Sequence, residues 1–228
     1  MLTERQKLLL KAVVDNYVHT AEPVGSEALA ASGSFDLSAA TLRNELRALE
    51  EAGYLTHPHT SAGRIPTEGG YELYSNTLMD DVVLSDQIQH GITAVLETEH
   101  DTIRRTKAAA RYVANNLGLA VIVIFEKESL YYTGISQLFA QPEFRDYAKA
   151  LNISSLFDQV EDHIDVIYDA ANASSPICFG KQHPLGEFCG SIIRSFDNNI
   201  FLTLGPMRMN YAKAKAVTHY TLTRLANM

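Results

Sequence analysis

Residues 38–67, SAATLRNELRALEEAGYLTHPHTSAGRIPT, constrain this chain most, because an amphipathic helix and a turn-rich segment stand back to back in them. Ser38 has the side chain to cap a helix start. Leu42, Leu46 and Leu49 recur at three- and four-residue spacing, which turns one apolar face inward and leaves Arg43, Asn44 and Arg47 outside. Gly53 ends that helix. The following YLTHPHTSAGRIPT carries Pro58, Gly63 and Pro66 as breakers and Arg64 as a cation, a pattern that suits a short hairpin lying against a phosphate backbone. An exposed arginine and asparagine on one helix face are what reading the major groove requires, since arginine forks onto guanine and asparagine onto adenine. The segment therefore reads as a DNA-recognition helix running into a β-wing.

The flanking sequence supplies the rest of such a module. Thr3 and Gln6 have the spacing of a capping box at the start of a helix over 3–19, with Leu9, Leu10, Val13, Val14 and Tyr17 as its apolar stripe. Pro23 and Gly25 break the chain, SEALAAS gives a short second helix, and Gly33 ends it. Helix, turn, short helix, turn, long helix and hairpin is the winged helix-turn-helix order. Thr67 to Met79 reads as a closing helix with Tyr71, Tyr74 and Leu78 on one side.

Beyond it, residues 79–117 read as a linker helix striped by Leu84, Ile88, Ile92 and Val95. The stripe degrades around Glu97, Glu99, His100 and Asp101, too early for a long coiled coil. After residue 118 the hydrophobic period changes. LAVIVIFE, SLYYTGI, HIDVIYDA, PICFG, CGSIIRSFD and NIFLTLG read as strands, QPEFRDYAKAL and SSLFDQVED as helices, and Tyr211 to Met228 as a closing helix. The fold class expected is α+β: a winged helix-turn-helix over 1–78, a linker helix over 79–117 and an α+β sensor-like domain over 118–228.

Composition narrows the function classes. With 228 residues, 46% of them hydrophobic, the chain can bury a real core. The longest apolar run, LAVIVIF, is far too short to span a membrane, and MLTERQK is no signal peptide, so a cytoplasmic location is expected. Cys178 and Cys189 are the only cysteines and form no CxxC pair, which predicts reduced, packed thiols and no structural metal. The formal net charge is −8, and carboxylates outnumber cations within residues 1–78 as well. Phosphate binding depends on local charge, so the basic residues must share a face, and weak non-specific affinity is expected.

Long, specific motifs resemble the heat-inducible transcription repressor HrcA family. They are LTERQKLLLKAVVDNYVHTAEPVGSEAL, SAATLRNELRALEEAGYLTHPHTSAGRIPT and GGYELY in the N-terminal region, then TGISQLFAQPEFRD and GPMRMNY downstream. The resemblance implies a GAF-like C-terminal domain and a homodimer that binds an inverted-repeat operator in double-stranded DNA ahead of chaperone genes. It also implies that the chaperonin GroEL supports the repressing state. Family members carry extra strands and an inserted dimerisation subdomain where this chain has NNLGLAVIVIFEKESLYYTG, so a reduced GAF-like domain without that subdomain is expected here. Arg43, Asn44 and Arg47 match the recognition-helix positions of the family, and His57, His59, Thr60, Ser61 and Arg64 match its wing. With Ser38 and Thr41 at the helix start, these ten residues are the expected DNA-facing set.

Other readings leave marks in the sequence too. His57 and His59, two apart, could share one side of a strand as metal ligands, but no carboxylate or cysteine joins them in the segment. Arg208 and Tyr211 of GPMRMNY read better as an ion pair and a core side chain than as a ligand site. No GxSxG, phosphate loop, dinucleotide fingerprint or HExxH is present, so neither an enzyme nor a cofactor is expected. The rival functions are a winged-helix regulator whose GAF-like domain senses a small molecule, and a winged helix used for protein contact.

Overall fold

Thr3 and Gln6 close the start of the first helix. Thr3 Oγ1 accepts the Gln6 N–H at 3.2 Å, and Gln6 Oε1 accepts the Thr3 N–H at 3.1 Å. The computed structural model describes residues 2–59 and 62–228, without the side chain of Gln182, and the chain divides into two units, residues 1–80 and 81–228. In the first unit α1 (Glu4–Thr20) buries Leu9, Leu10, Val13 and Val14, and α2 (Ser26–Ala31) gives way to a turn at Gly33, whose φ is +69°. The third helix, α3 (Ala39–Glu51), buries Leu42, Leu46 and Leu49. Burial of a leucine contributes about 1.5–3 kcal/mol, so this stripe is what holds α3 to the unit. Gly53 takes φ +82° and turns the chain into β1 (Leu55–Thr56), which pairs antiparallel with β2 (Ile65–Pro66).

The hairpin gains a third chain. Arg64 and Val24 exchange both backbone hydrogen bonds, at 2.8 and 2.9 Å, which ties the segment before α2 to the return leg. Gly63 permits this approach, because a Cβ there would stand 2.5 Å from the carbonyl carbon of Val24. Thr67 then caps α4 (Glu68–Leu73), and a wider π-helical turn over Tyr74–Leu78 continues it. Tyr74 donates its hydroxyl to Asp15 at 2.6 Å, while Lys11 bridges Asp15 and Asp80 at 2.9 and 3.0 Å.

The second unit is built on a five-stranded antiparallel sheet. Its helices are α5 (Asp86–Glu97), α6 (Thr102–Leu117), α7 (Ile135–Phe139), α8 (Tyr147–Asp158), α9 (Ile164–Ala171) and α10 (Tyr211–Ala226). Its strands are β3 (Ala120–Phe125), β4 (Ser129–Thr133), β5 (Ile177–Phe179), β6 (Cys189–Phe196) and β7 (Asn199–Pro206), in the order β4-β3-β7-β6-β5. The two-residue period of a strand splits β3 between two cores. Ile122 and Ile124 join Leu138, Ile153 and Ile167 from α7, α8 and α9. On the opposite face Val121 and Val123 join Ile92, Val113 and Val217 from α5, α6 and α10. Helices therefore cover both faces, which is why β3 reads as an unbroken apolar run and why β7 is buried from Ile200 to Pro206.

Three expectations are corrected. Residues 79–117 hold two helices that pack on the sheet rather than one linker helix. The polar stretch from Glu97 to Asp101, which interrupts the apolar stripe, is the turn between them, and Asp101 caps the second. HIDVIYDA is the helix α9 rather than a strand, because Ile164, Ile167, Tyr168 and Ala171 share the i, i+3, i+4, i+7 face that meets the core. QPEFRDYAKAL and SSLFDQVED merge after a short 3₁₀ turn, since Asp146 caps α8 and nothing interrupts it before Asp158.

Candidate nucleic-acid interface

With the three leucines inward, α3 exposes Ala40, Arg43, Asn44 and Arg47 in a row along its outer face. Ser38 and Thr41 are occupied in starting the helix. Ser38 Oγ accepts the Thr41 N–H at 3.2 Å and lies 2.9 Å from the Thr41 hydroxyl. Thr67 Oγ1 donates to the Gly53 carbonyl at 2.6 Å, and the Thr67 N–H donates to the Tyr54 carbonyl at 3.1 Å, so the exit of the hairpin is bound to its entry. Thr60 and Ser61, expected in the wing, lie outside the described residues. His59 is exposed, and its carbonyl accepts the Ala62 N–H at 2.9 Å.

Each arginine of this surface faces a carboxylate. Arg47 Nε meets Glu51 at 2.9 Å and Arg43 stands 3.9 Å from Glu27, in pairs whose arginine side chains are 74% and 69% exposed. Such pairs contribute about 0–1 kcal/mol and part readily for a phosphate or a base. Arg64 is held differently. It is 22% exposed, meets Glu50 at 2.7 Å, and donates to the Ala62 carbonyl at 3.4 Å. Glu50 also receives the Nδ1 of His57. Burial acts to raise the Glu50 carboxyl, but the His57 hydrogen bond, the Arg64 charge and their companion interactions outweigh it and hold the group below its ordinary value. An open cleft of about 390 Å³ lies between α2, α3 and the return leg, with Glu27, Arg43, Gly63 and Arg64 on its walls.

The structure thus brings Arg43, Asn44 and Arg47 together on one helix face, with His57 and Arg64 drawn to its C-terminal end by Glu50. The role of Glu50 is invisible in the sequence, where it reads as one of several solvated helix carboxylates. Only its position seven residues before His57 and fourteen before Arg64, across a hairpin, could have suggested it.

A family model described as the HrcA protein C terminal domain matches residues 73–214, more than half of the chain. The chain belongs to the HrcA family. The heat-inducible transcription repressor HrcA of Clostridioides difficile (strain 630) is 41% identical over 119 residues, 49% of this chain and 35% of that protein. Its namesake from Synechococcus elongatus is 44% identical over 126 residues, 54% of this chain and 36% of that protein. The chain therefore spans about a third of the length of these curated HrcA relatives. A hypothetical protein with a crystal structure at 2.2 Å shares the fold, with a TM-score of 0.77 over 100% of this chain and 98% of its own, at 16% identity.

Within the HrcA match, the two downstream motifs meet. Arg208 of GPMRMNY forks onto Glu143 of QPEFRD through Nε and Nη2, and Nη2 also donates to Gln141 at 3.0 Å. Gln141 in turn donates to the Gly118 carbonyl at 2.9 Å. Tyr211 is buried with its hydroxyl on the Met207 carbonyl at 2.7 Å, and Gly190 leaves that ring its space. Both residues serve the packing of the sheet and α10. His183 is buried, accepts the Leu185 N–H at Nδ1 and meets Ser191 Oγ through Nε2, an arrangement of the neutral ring, and burial pushes its pKa down to about 4. Burial raises the Cys178 thiol and pushes Cys189 up to about 12, so neither thiol is activated. Among the described residues no group of three potential metal ligands stands together, and no helix is long and apolar enough to cross a membrane. Only β3 and β4 lie between α6 and the Ile135–Arg145 segment.

Proposed function

We propose that this HrcA-family chain is a DNA-binding transcriptional repressor of heat-shock genes, with residues 1–80 acting as a winged helix-turn-helix. One observation carries the reading: α3 presents Arg43, Asn44 and Arg47 as a single exposed row, and a hairpin is fastened to the end of the same helix. Helix and hairpin together match a recognition helix for the major groove and a wing for the adjoining backbone. Arg43, Asn44 and Arg47 would reach base edges. Ser38, Thr41, His57, His59, Thr60, Ser61 and Arg64 would line the helix start and the wing.

The surface has three arginines against three carboxylates, so one copy neutralises few phosphates. A homodimer on an inverted repeat supplies the missing affinity by linking two weak contacts. The second unit is a reduced GAF-like domain in this reading, the site of action is the cytoplasm, and the chaperonin GroEL modulates the active fraction, as the family resemblance implies. The experiment is selection of bound duplexes from a random pool by the full chain, followed by light scattering of the protein with and without the selected DNA. Enrichment of an inverted repeat bound by two chains is expected. Recovery of no enriched sequence from a folded protein overturns the reading.

A further inference from the structure

A carboxylate beside a duplex repels phosphate, so Glu50 stands where a DNA-facing surface has least use for one. Its partners explain it. Glu50 lies in the last turn of α3. One of its oxygens meets His57 Nδ1, just past β1, and the other meets an Arg64 guanidinium nitrogen at 2.7 Å, just before β2. A single side chain therefore ties the end of the helix to both legs of the hairpin. Beside the Val24–Arg64 bridge, such a tie steadies a hairpin whose strands are two residues each, because a short two-stranded ribbon is marginal alone.

The three acidic partners of this surface are not equivalent. Glu27 and Glu51 hold arginines that are largely in solvent, and both pairs open without disturbing the backbone. Glu50 and Arg64 are each only 22% exposed, and Arg64 is further fixed by the backbone pair it makes with Val24. Its guanidinium is thus not a free cation at the tip of a wing. It is committed to the carboxylate that sets the hairpin against α3.

Resting on the DNA-binding reading above, we infer that Glu50 is a positioning residue: it orients the wing through His57 and Arg64 and withholds the Arg64 charge from indiscriminate contact with phosphate. Sequence discrimination is then raised while general affinity for DNA is lowered. Charge removal alone would strengthen binding to every duplex equally. Loss of a positioning contact changes the ratio between duplexes, and the two effects are separable.

The test compares the full chain with its Glu50→Gln variant on the selected duplex and on a mixed-sequence duplex of the same length, across several salt concentrations. In parallel, amide hydrogen exchange at Val24 and Arg64 is followed in the DNA-free protein. Glu50→Gln is expected to bind mixed DNA more tightly with a log-log salt slope steeper by about one, as Arg64 becomes free to meet a phosphate. Discrimination is expected to fall roughly fivefold, the size of two weak ion pairs, and the two amides to exchange faster. Adding Arg64→Gln in the same chain should return the slope to its original value. Equal gains on both duplexes, or unchanged exchange, overturn the inference. Should Glu50→Gln fail to fold, His57→Ala removes one arm of the tie and is read by the same two measurements. If the parent chain retains no DNA, the DNA reading falls, and the exchange arm still decides whether Glu50 holds the hairpin.

Discussion

Replacing Arg208 by methionine tests the claim that the two downstream motifs form one structural joint. The substitution keeps most of the aliphatic stem and removes the guanidinium, leaving Glu143 without its fork and Gln141 Oε1 without its 3.0 Å donor. Exposed ion pairs contribute about 0–1 kcal/mol, whereas removing one partner of a buried pair costs about 3–5 kcal/mol. The side chains here are 11% and 21% exposed, nearer the buried limit. Water that reaches Glu143 reduces the loss, so about 2–3 kcal/mol is expected. For a chain of this size that lowers the melting temperature by about 4–12 °C. Urea denaturation followed by far-ultraviolet circular dichroism and tyrosine emission measures it, and a cycle with Glu143→Gln isolates the pair. A loss under about 1 kcal/mol, or a coupling under about 0.5 kcal/mol, would refute the reasoning by showing the joint to be an ordinary surface pair.

Asn44→Ala is expected to weaken binding to the selected duplex by about 1–3 kcal/mol with relaxed preference at one position, and binding curves on single-base variants of that duplex check it; equal weakening on every variant would remove its base-reading role. His183 is neutral in the fold, and its folded value of about 4 lies below the ordinary 6.5. The unfolded chain therefore binds the extra proton first, and stability that is complete above about pH 6.5 is lost as the pH falls toward 4, by about 3 kcal/mol in all. His183→Gln should flatten that part of the pH profile, and an unchanged profile counts against the assignment. Gly134 has φ +75°, and a Cβ there would lie 2.3 Å from the Leu119 carbonyl oxygen. Gly134→Ala is accordingly expected to cost more than about 2 kcal/mol in the same denaturation assay, and a loss below 1 kcal/mol would contradict this geometry.

Much of the first unit was legible because its causes are short-range. Capping pairs three residues apart, leucines at helical spacing and glycines at chain reversals act within a turn or two. Thr3, Ser38 and Gly53 do in the fold what their neighbours in the sequence imply. The second unit was harder to read. Apolar content at HIDVIYDA suits strand and helix alike, and the core it meets decides for the helix. The stripe of Leu84, Ile88, Ile92 and Val95 was visible, but not that it and the next helix cover one face of the sheet.

By itself, then, the sequence determined where most elements begin and end, which face of α3 is apolar, and therefore that Arg43, Asn44 and Arg47 are displayed together. Only the tertiary structure decided which carboxylate each arginine meets. It placed Arg208 on Glu143, 65 residues away, and Arg64 on Glu50 across a hairpin, where the sequence offers many acidic residues of similar standing. The physical reason is range. Helix periods and caps are properties of adjacent residues, whereas an ion pair between distant segments forms only after packing has fixed both backbones and excluded enough water for one partner to be preferred.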